Sequence, residues 1–474
     1  MISESIMISL NLHLFFEHLN KLYMKILKIL PLILLTLACA PGEKDGGQDD
    51  GVFPYTVHQK ALPNGLNVVT VPYESPGIAS FYIIVRAGSR EEVEQGKTGF
   101  AHFFEHMMFR GTDKYPTDVY NEELKSIGAA ANANTWLDRT VYHMTGNAEM
   151  LDKMFEMEAD RFQNLNYSVH GFKTEAGAVK GEYTKNYASP MMQLNEKTVD
   201  VAFDNHTYKH TTMGFWDDVV DMPNQYEYSL LFFDRFYRPE YSTILVVGDV
   251  TADLVNDLAE KYFGEWERGS YVPEIPVEPE QTETRFAHIQ NANFPPYISL
   301  NYKSPAFNPD SKESASLSVI SQILFSQKSE LYKKLVIEER KCRYLGGGAM
   351  FTRDPYLFSV RSSLHNPEDM QLVKDEVIKS IQGLIDNGVD PKVLSDTKSH
   401  VKYDFATGLD SSTSIAEVLS YSIWATGDPE AFGRFFNLIE TISVQDLQET
   451  AKKYFIPEHL TISTISPEEE GGVL

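Results

Sequence analysis

Two cysteines in 474 residues, Cys39 and Cys342, leave no room for a disulfide framework or for zinc held by thiolates. Positive charge is scarce as well: 42 Lys and Arg stand against 67 Asp and Glu, a formal net charge of -25. Phosphate binding needs clustered cations, so this balance argues against nucleic acid as a partner. It is compatible with a basic or unstructured peptide, although an acidic surface also simply keeps a protein soluble. Beyond residue 39 no apolar run is long enough to cross a bilayer. What is present is ordinary globular material, with 42% hydrophobic and 23% charged residues. The length allows two or three domains with cores of their own.

The first residues read as an address. Lys25 and Lys28 form a basic segment, Ile29 to Leu37 an apolar one, and Ala38-Cys39 closes it. This resembles a bacterial lipoprotein signal with Cys39 as the lipidated residue, although Thr36 stands where Leu is usual. A plain secretory signal beside a chance cysteine is the alternative. Residues 1–23 read as an upstream extension, so that 1–38 is extension plus signal and 39–54 a polar, flexible tether. The implied location is the bacterial cell envelope, periplasm-facing or on the outer membrane, with a lipid as the only anchor.

One long-period repeat is visible. Arg-Phe-Tyr-Arg-Pro-Glu-Tyr-Ser-Thr-Ile at 235–244 and Lys-Tyr-Phe-Ile-Pro-Glu-His-Leu-Thr-Ile at 453–462 share Pro, Glu, Thr and Ile. An amphipathic helix precedes each copy and a β-rich run follows it. The spacing indicates a duplicated domain. Pro273, Pro276 and Pro279 mark the stretch between, about 269–284, as an extended linker. The expected body is therefore two homologous α+β domains, 55–268 and 285–474. Each is a mostly antiparallel sheet with helices packed on one face, and the two form a clamshell. Within the first, Leu66 to Pro72 and Ala79 to Ala87 read as strands, Gly99 to Phe109 as a helix, Asp118 to Ile127 as a helix capped by Thr117, and Ala133 to Met144 as one alternating strand.

The chemistry concentrates in Gly99-Phe100-Ala101-His102-Phe103-Phe104-Glu105-His106-Met107-Met108-Phe109. His102 and His106 are four apart, so a helix sets both imidazoles on one face, a turn apart, able to grip one ion. Glu105 falls beside the same ion without needing to bind it, which suits a carboxylate that deprotonates a metal-bound water. The order His-x-x-Glu-His is the inverted zincin motif. Zinc would need a third protein ligand, and Glu175 and Glu182, seven apart on one helical face, are candidates; a solvated acidic helix would look the same.

With these motifs in hand, the chain resembles the pitrilysin/insulinase family of zinc metallopeptidases, in its half-length branch similar to mitochondrial processing peptidase and bacterial relatives. Glu175-Ala-Gly-Ala-Val179-Lys-Gly-Glu182 is similar to that family's Glu-x-x-x-Val-x-x-Glu segment. The resemblance implies Glu182 as third zinc ligand and Glu175 as a carboxylate behind the ligands. Gly128-Ala-Ala-Ala-Asn132-Ala133-Asn134-Thr135 is similar to the edge strand on which the family pairs a peptide, which implies Asn132 and Ala133 as substrate contacts. His206 and His210 match a segment whose histidines the resemblance makes structural. The second half has no such metal motif. One Zn2+ per chain is implied, and an endopeptidase acting on short or unfolded peptides.

One departure stands out. Many relatives carry an Arg seven residues before a substrate-binding Tyr in the second half. Here Tyr344 is the candidate, but Ile337 stands seven before it and Val336 follows Leu335. In two-subunit relatives the zinc chain lacks this pair and a partner supplies it. A homologous partner chain, or a homodimer, is therefore expected alongside the peptide substrate. Rival readings are a non-catalytic or partner-dependent subunit and a lipoprotein that binds zinc for storage or structure.

Overall fold

A computed structural model describes residues 52–469, 471 and 473. The lipidation site expected at Cys39, with the signal and most of the tether, lies outside the described residues. Among those described, no helix is long and apolar enough to cross a membrane.

Two sheets organise the chain. The first contains β1 (His58–Ala61), β2 (Asn67–Pro72), β3 (Ile78–Val85), β4 (Ala130–Thr135), β5 (Thr140–Asn147) and β6 (Ser242–Gly248), in the order β1-β2-β6-β3-β5-β4. The second contains β7 (Arg285–Gln290), β8 (Tyr297–Ser304), β9 (Cys342–Ala349), β10 (Tyr356–Leu364) and β11 (Leu460–Ser466), in the order β7-β11-β8-β10-β9. Leaving β1 aside, the two orders are the same. In each, the last strand of the sheet inserts between the first two, parallel to the first and antiparallel to the second. The sequence repeat falls on these inserted strands: a helix, a short 3-10 turn at Pro239–Tyr241 or Pro457–His459, then β6 or β11. This is the α+β, mostly antiparallel architecture expected.

Strand alternation explains why Ile244-Leu245-Val246-Val247 is apolar without a break. Ile244 and Val246 enter the core shared with Phe81, Ile83 and helix α1 (Phe100–Met107), whereas Leu245 and Val247 enter a second core with Tyr82 and Ile84. Both faces of the sheet are covered, so both sets must be apolar. The first half supplies α1 and α2 (Val169–Tyr187), which pack on one another. It also supplies α3 (Pro190–Ala202), which crosses to cover β7 and β11 of the second sheet, where Thr198 Oγ1 donates to Ser463 Oγ at 2.8 Å. In return α4 (Ser412–Thr426), from the second half, lies on β3 and β6. Each sheet thus has one helix of the other half on its far face, in addition to its own helices.

The expected single strand from Ala133 to Met144 is instead a hairpin, β4 and β5, with a turn at 136–139. There is no Gly or Pro to signal the turn, but Arg139 folds back to the Asn134 carbonyl at 2.9 Å. Gly88 makes room for it: a Cβ there would sit 2.2 Å from the Trp136 carbonyl oxygen. Thr117 is also not a cap. It begins the helix Thr117–Ser126 after Pro116, and its hydroxyl donates back to the Arg110 carbonyl at 3.0 Å.

Phe104, on the inner face of α1, is fully buried, with its ring centroid 5.4 Å from those of Phe232 and Tyr237. Phe104→Ala is expected to cost about 3–5 kcal/mol, the usual range for emptying an aromatic site. A large drop in thermal midpoint would register it, and an unchanged midpoint would deny this packing its weight.

Candidate metal centre

Helix α1 presents His102 and His106 one turn apart, with ring centroids 4.8 Å apart. Helix α2, packed across it, brings Glu182 to both: its Oε2 is 3.7 Å from His102 Nε2 and 3.3 Å from His106 Nε2. The three possible ligand atoms all lie within 4.8 Å of one another, the one such grouping among the described residues. A tetrahedral zinc with bonds of about 2.0–2.2 Å spaces its ligands roughly 3.3 Å apart, so two imidazoles and a carboxylate placed in this way fit zinc and leave a position free. Glu175, two helical turns before Glu182, meets the other side of His106 instead: His106 Nδ1 and Glu175 Oε1 are 3.0 Å apart. Arg110 grips the second oxygen of Glu175. Such a carboxylate fixes the ring's orientation and leaves Nε2 on the side of Glu182.

The electrostatics of the two histidines differ. Full burial lowers the pKa of His102. Burial would lower His106 too, but the carboxylates of Glu175 and Glu182 outweigh it and raise His106 to about 9. The hydrogen bond with His106 pulls Glu182 down to about 2. For Glu175, burial is outweighed by His106 and Arg110, and its pKa is lowered. Glu105 stands outside the ligand cluster, and its charge acts on both histidines.

The other expected residues are placed as follows. Asn132 is exposed and Ala133 buried on β4, an edge strand paired only with β5 and packed near α1. Tyr344 is half-buried on β9, the edge strand of the other sheet. His206 Nε2 lies 3.0 Å from Asp354 Oδ2, while its Nδ1 accepts from the Tyr208 N–H. His210 is buried, with Nδ1 2.9 Å from the Thr211 carbonyl. Both are therefore engaged elsewhere. Sequence reasoning missed Arg110, although its position four after His106 puts it on the same helical flank.

Residues 68–214 match the family described as "Insulinase (Peptidase family M16)", and residues 225–401 the "Peptidase M16 inactive domain". The chain is 27% identical to the zinc protease PqqE of Helicobacter pylori over 414 residues, 86% of this chain and 92% of the relative. The crystal structure of a protease from Helicobacter pylori superposes with a TM-score of 0.81 at 26% identity, covering 87% of this chain and all of that one. The first half of the periplasmic protease PqqL from Escherichia coli has the same fold, with a TM-score of 0.72 at 20% identity over 88% of this chain and 94% of that one.

Proposed function

This chain belongs to the insulinase (M16) peptidase family, and from that premise we propose that it is a zinc endopeptidase cutting short or unfolded peptides. His102, His106 and Glu182 would hold one zinc ion. The observation that carries the reading is the convergence of those three ligand atoms within 4.8 Å, with Glu105 on the same helix and outside the set. Bound there, zinc would supply Lewis-acid polarisation of the scissile carbonyl and acidify a water. Glu105 would take the proton of the attacking water and pass it to the leaving amine. Glu175 would hold His106 in register. The terminal strand β4 would pair an extended peptide beside Asn132 and Ala133, a mode in which main-chain hydrogen bonds give affinity and side-chain pockets give selectivity. The relatives named as zinc proteases support this reading, and the periplasmic relative supports a place in the bacterial envelope.

A second reading is favoured by one position. Seven residues before Tyr344 stands Ile337, 59% exposed, where an arginine would be expected. A homologous partner chain or a second copy would then complete the substrate site. Inactivity of the pure chain that is relieved by a co-expressed homologue would support this reading, and full activity of the chain alone would retire it.

The titration states give a test independent of activity. In the metal-free protein the lowered pKa values of His102 and Glu182 and the raised pKa of His106 favour, at pH 7, a neutral His102, an ionised Glu182 and a protonated His106. Zinc takes only the unprotonated imidazole, so binding at pH 7 should release the His106 proton, in addition to any proton given up by a metal-bound water. The His106 share of the release should fade as the pH rises through about 9, leaving only the proton given up by a metal-bound water. Calorimetry at pH 7 in buffers of different ionisation enthalpy reads this directly. No proton release at pH 7 would contradict the assignment of His106.

A further inference from the structure

The two histidines are not held alike. His106 is clamped by Glu175, but the second ring nitrogen of His102 is buried without a hydrogen-bond partner. The position of His102 therefore depends on the backbone of the first turn of α1. That turn begins at Gly99, which has φ 90°, a left-handed conformation, and no side chain to cap the helix. The missing acceptor comes from outside the helix. Glu92, 2% exposed, takes the Gly99 N–H on Oε2 at 2.8 Å and the Ala101 N–H on Oε1 at 2.7 Å. The nearest cation-forming group to Glu92 is His210, at 3.8 Å, and its Nδ1 lies closer to the Thr211 carbonyl. A buried carboxylate without a full ionic partner is costly. Here burial pushes the pKa of Glu92 up to about 8 despite the two donors. Its arrangement is that of an acceptor at a helix N-terminus.

The preceding residue faces the other way. Glu91, 1% exposed, accepts on Oε1 from the Arg353 guanidinium at 2.8 Å and from that of Arg90 at 2.9 Å. Arg353 lies between β9 and β10 in the second half, where its own N–H donates to Asp138 Oδ2 at 3.0 Å. Two consecutive buried carboxylates, at the end of the short 3-10 turn Ser89–Glu91, thus hold the metal-bearing helix on one side and the second half on the other.

We propose that Glu92 is a positioning residue for His102, and that the Glu91–Glu92 pair couples the placement of the metal helix to the second half through Arg353. This rests on the reading of His102, His106 and Glu182 as ligands. It assigns a task to the half that carries no metal motif: fixing the geometry of the half that does.

A double-mutant cycle tests it, using the full chain with Glu92→Gln, Arg353→Met and both together, and Thr198→Val as a control on a contact between the halves that does not touch Glu91. Three quantities are read: zinc affinity by chelator competition, the visible spectrum of the cobalt form, and amide hydrogen exchange at 99–102 in the metal-free protein. Glu92→Gln keeps one acceptor oxygen and loses the other, and is expected to weaken zinc by less than the roughly 10- to 100-fold typical of a partner bonded directly to a metal ligand, with an altered cobalt spectrum and faster exchange in the first turn. Arg353→Met should move all three in the same direction by less, and the double variant should be no worse than Glu92→Gln. Thr198→Val should leave all three unchanged. If Glu92→Gln does not fold, Glu92→Asp replaces it, with a smaller effect of the same kind. The proposal is overturned if the Glu92 variant lowers thermal stability but moves none of the three readouts, or if the two effects multiply. Should the wild-type chain bind no zinc at all, the metal reading itself fails, while exchange in the metal-free protein still tests the coupling.

Discussion

Glu105→Gln should lower the rate of peptide cleavage by about 10³- to 10⁴-fold, the upper part of the range for losing a general base, and leave zinc bound. The substitution preserves volume and removes only the ability to take up a proton. Glu105 is outside the cluster of ligand atoms, so the metal content should not change. Its place three residues after His102 on α1 keeps it on the flank of the same site, where its charge acts on both imidazoles. Steady-state kinetics with metal analysis of the same sample separates the outcomes. A variant that loses its zinc would make Glu105 a ligand, and one that keeps its rate would put the base elsewhere.

Glu182→Gln should do the opposite, emptying the site first and abolishing cleavage as a consequence. The amide keeps the shape of the carboxylate but not its charge, and an amide oxygen is a poor zinc ligand. Removing a group that only orients a ligand costs 10- to 100-fold in metal affinity, so removing a ligand should cost more than about 100-fold. The same change would relieve His106 of one of the two carboxylates that raise its pKa, so the proton released on any residual zinc binding should fall as well. Competition with a chelator measures the affinity, and titration calorimetry the proton. Near-normal zinc affinity in this variant would remove Glu182 from the ligand set. Glu175 would not readily replace it, because Glu175 faces His106 Nδ1 and Arg110.

How far the site could be read from the chain depended on how local each relation is. His102, Glu105 and His106 were legible because a helix converts spacing directly into direction. Glu175 and Glu182 were legible as two residues on one face. Which of them meets Nε2 and which Nδ1 of His106 depends on how α2 crosses α1, and spacing carries no information about that. The roles of Glu91 and Glu92 were not legible at all, since their partners are Arg353, some 260 residues away, and two backbone N–H groups. In the fold, helices were expected on one face of each sheet, whereas β6 is buried on both, with Ile244 and Val246 in one core and Leu245 and Val247 in the other. That the far face is covered by α4, a helix of the other half, was not visible. The hairpin at 136–139 was missed because its turn has no Gly or Pro; it is held by the side chain of its own Arg139 and by the room that Gly88 leaves through space.

The measurement closest to the central claim is cleavage of a quenched peptide library by the protein stripped of metal, before and after one equivalent of zinc is restored. Cleavage should be absent from the stripped, folded protein and should return with the zinc, in proportion to the fraction of sites filled. A stripped protein that still cuts at the original rate would contradict the assignment of His102, His106 and Glu182 as the centre of the chemistry.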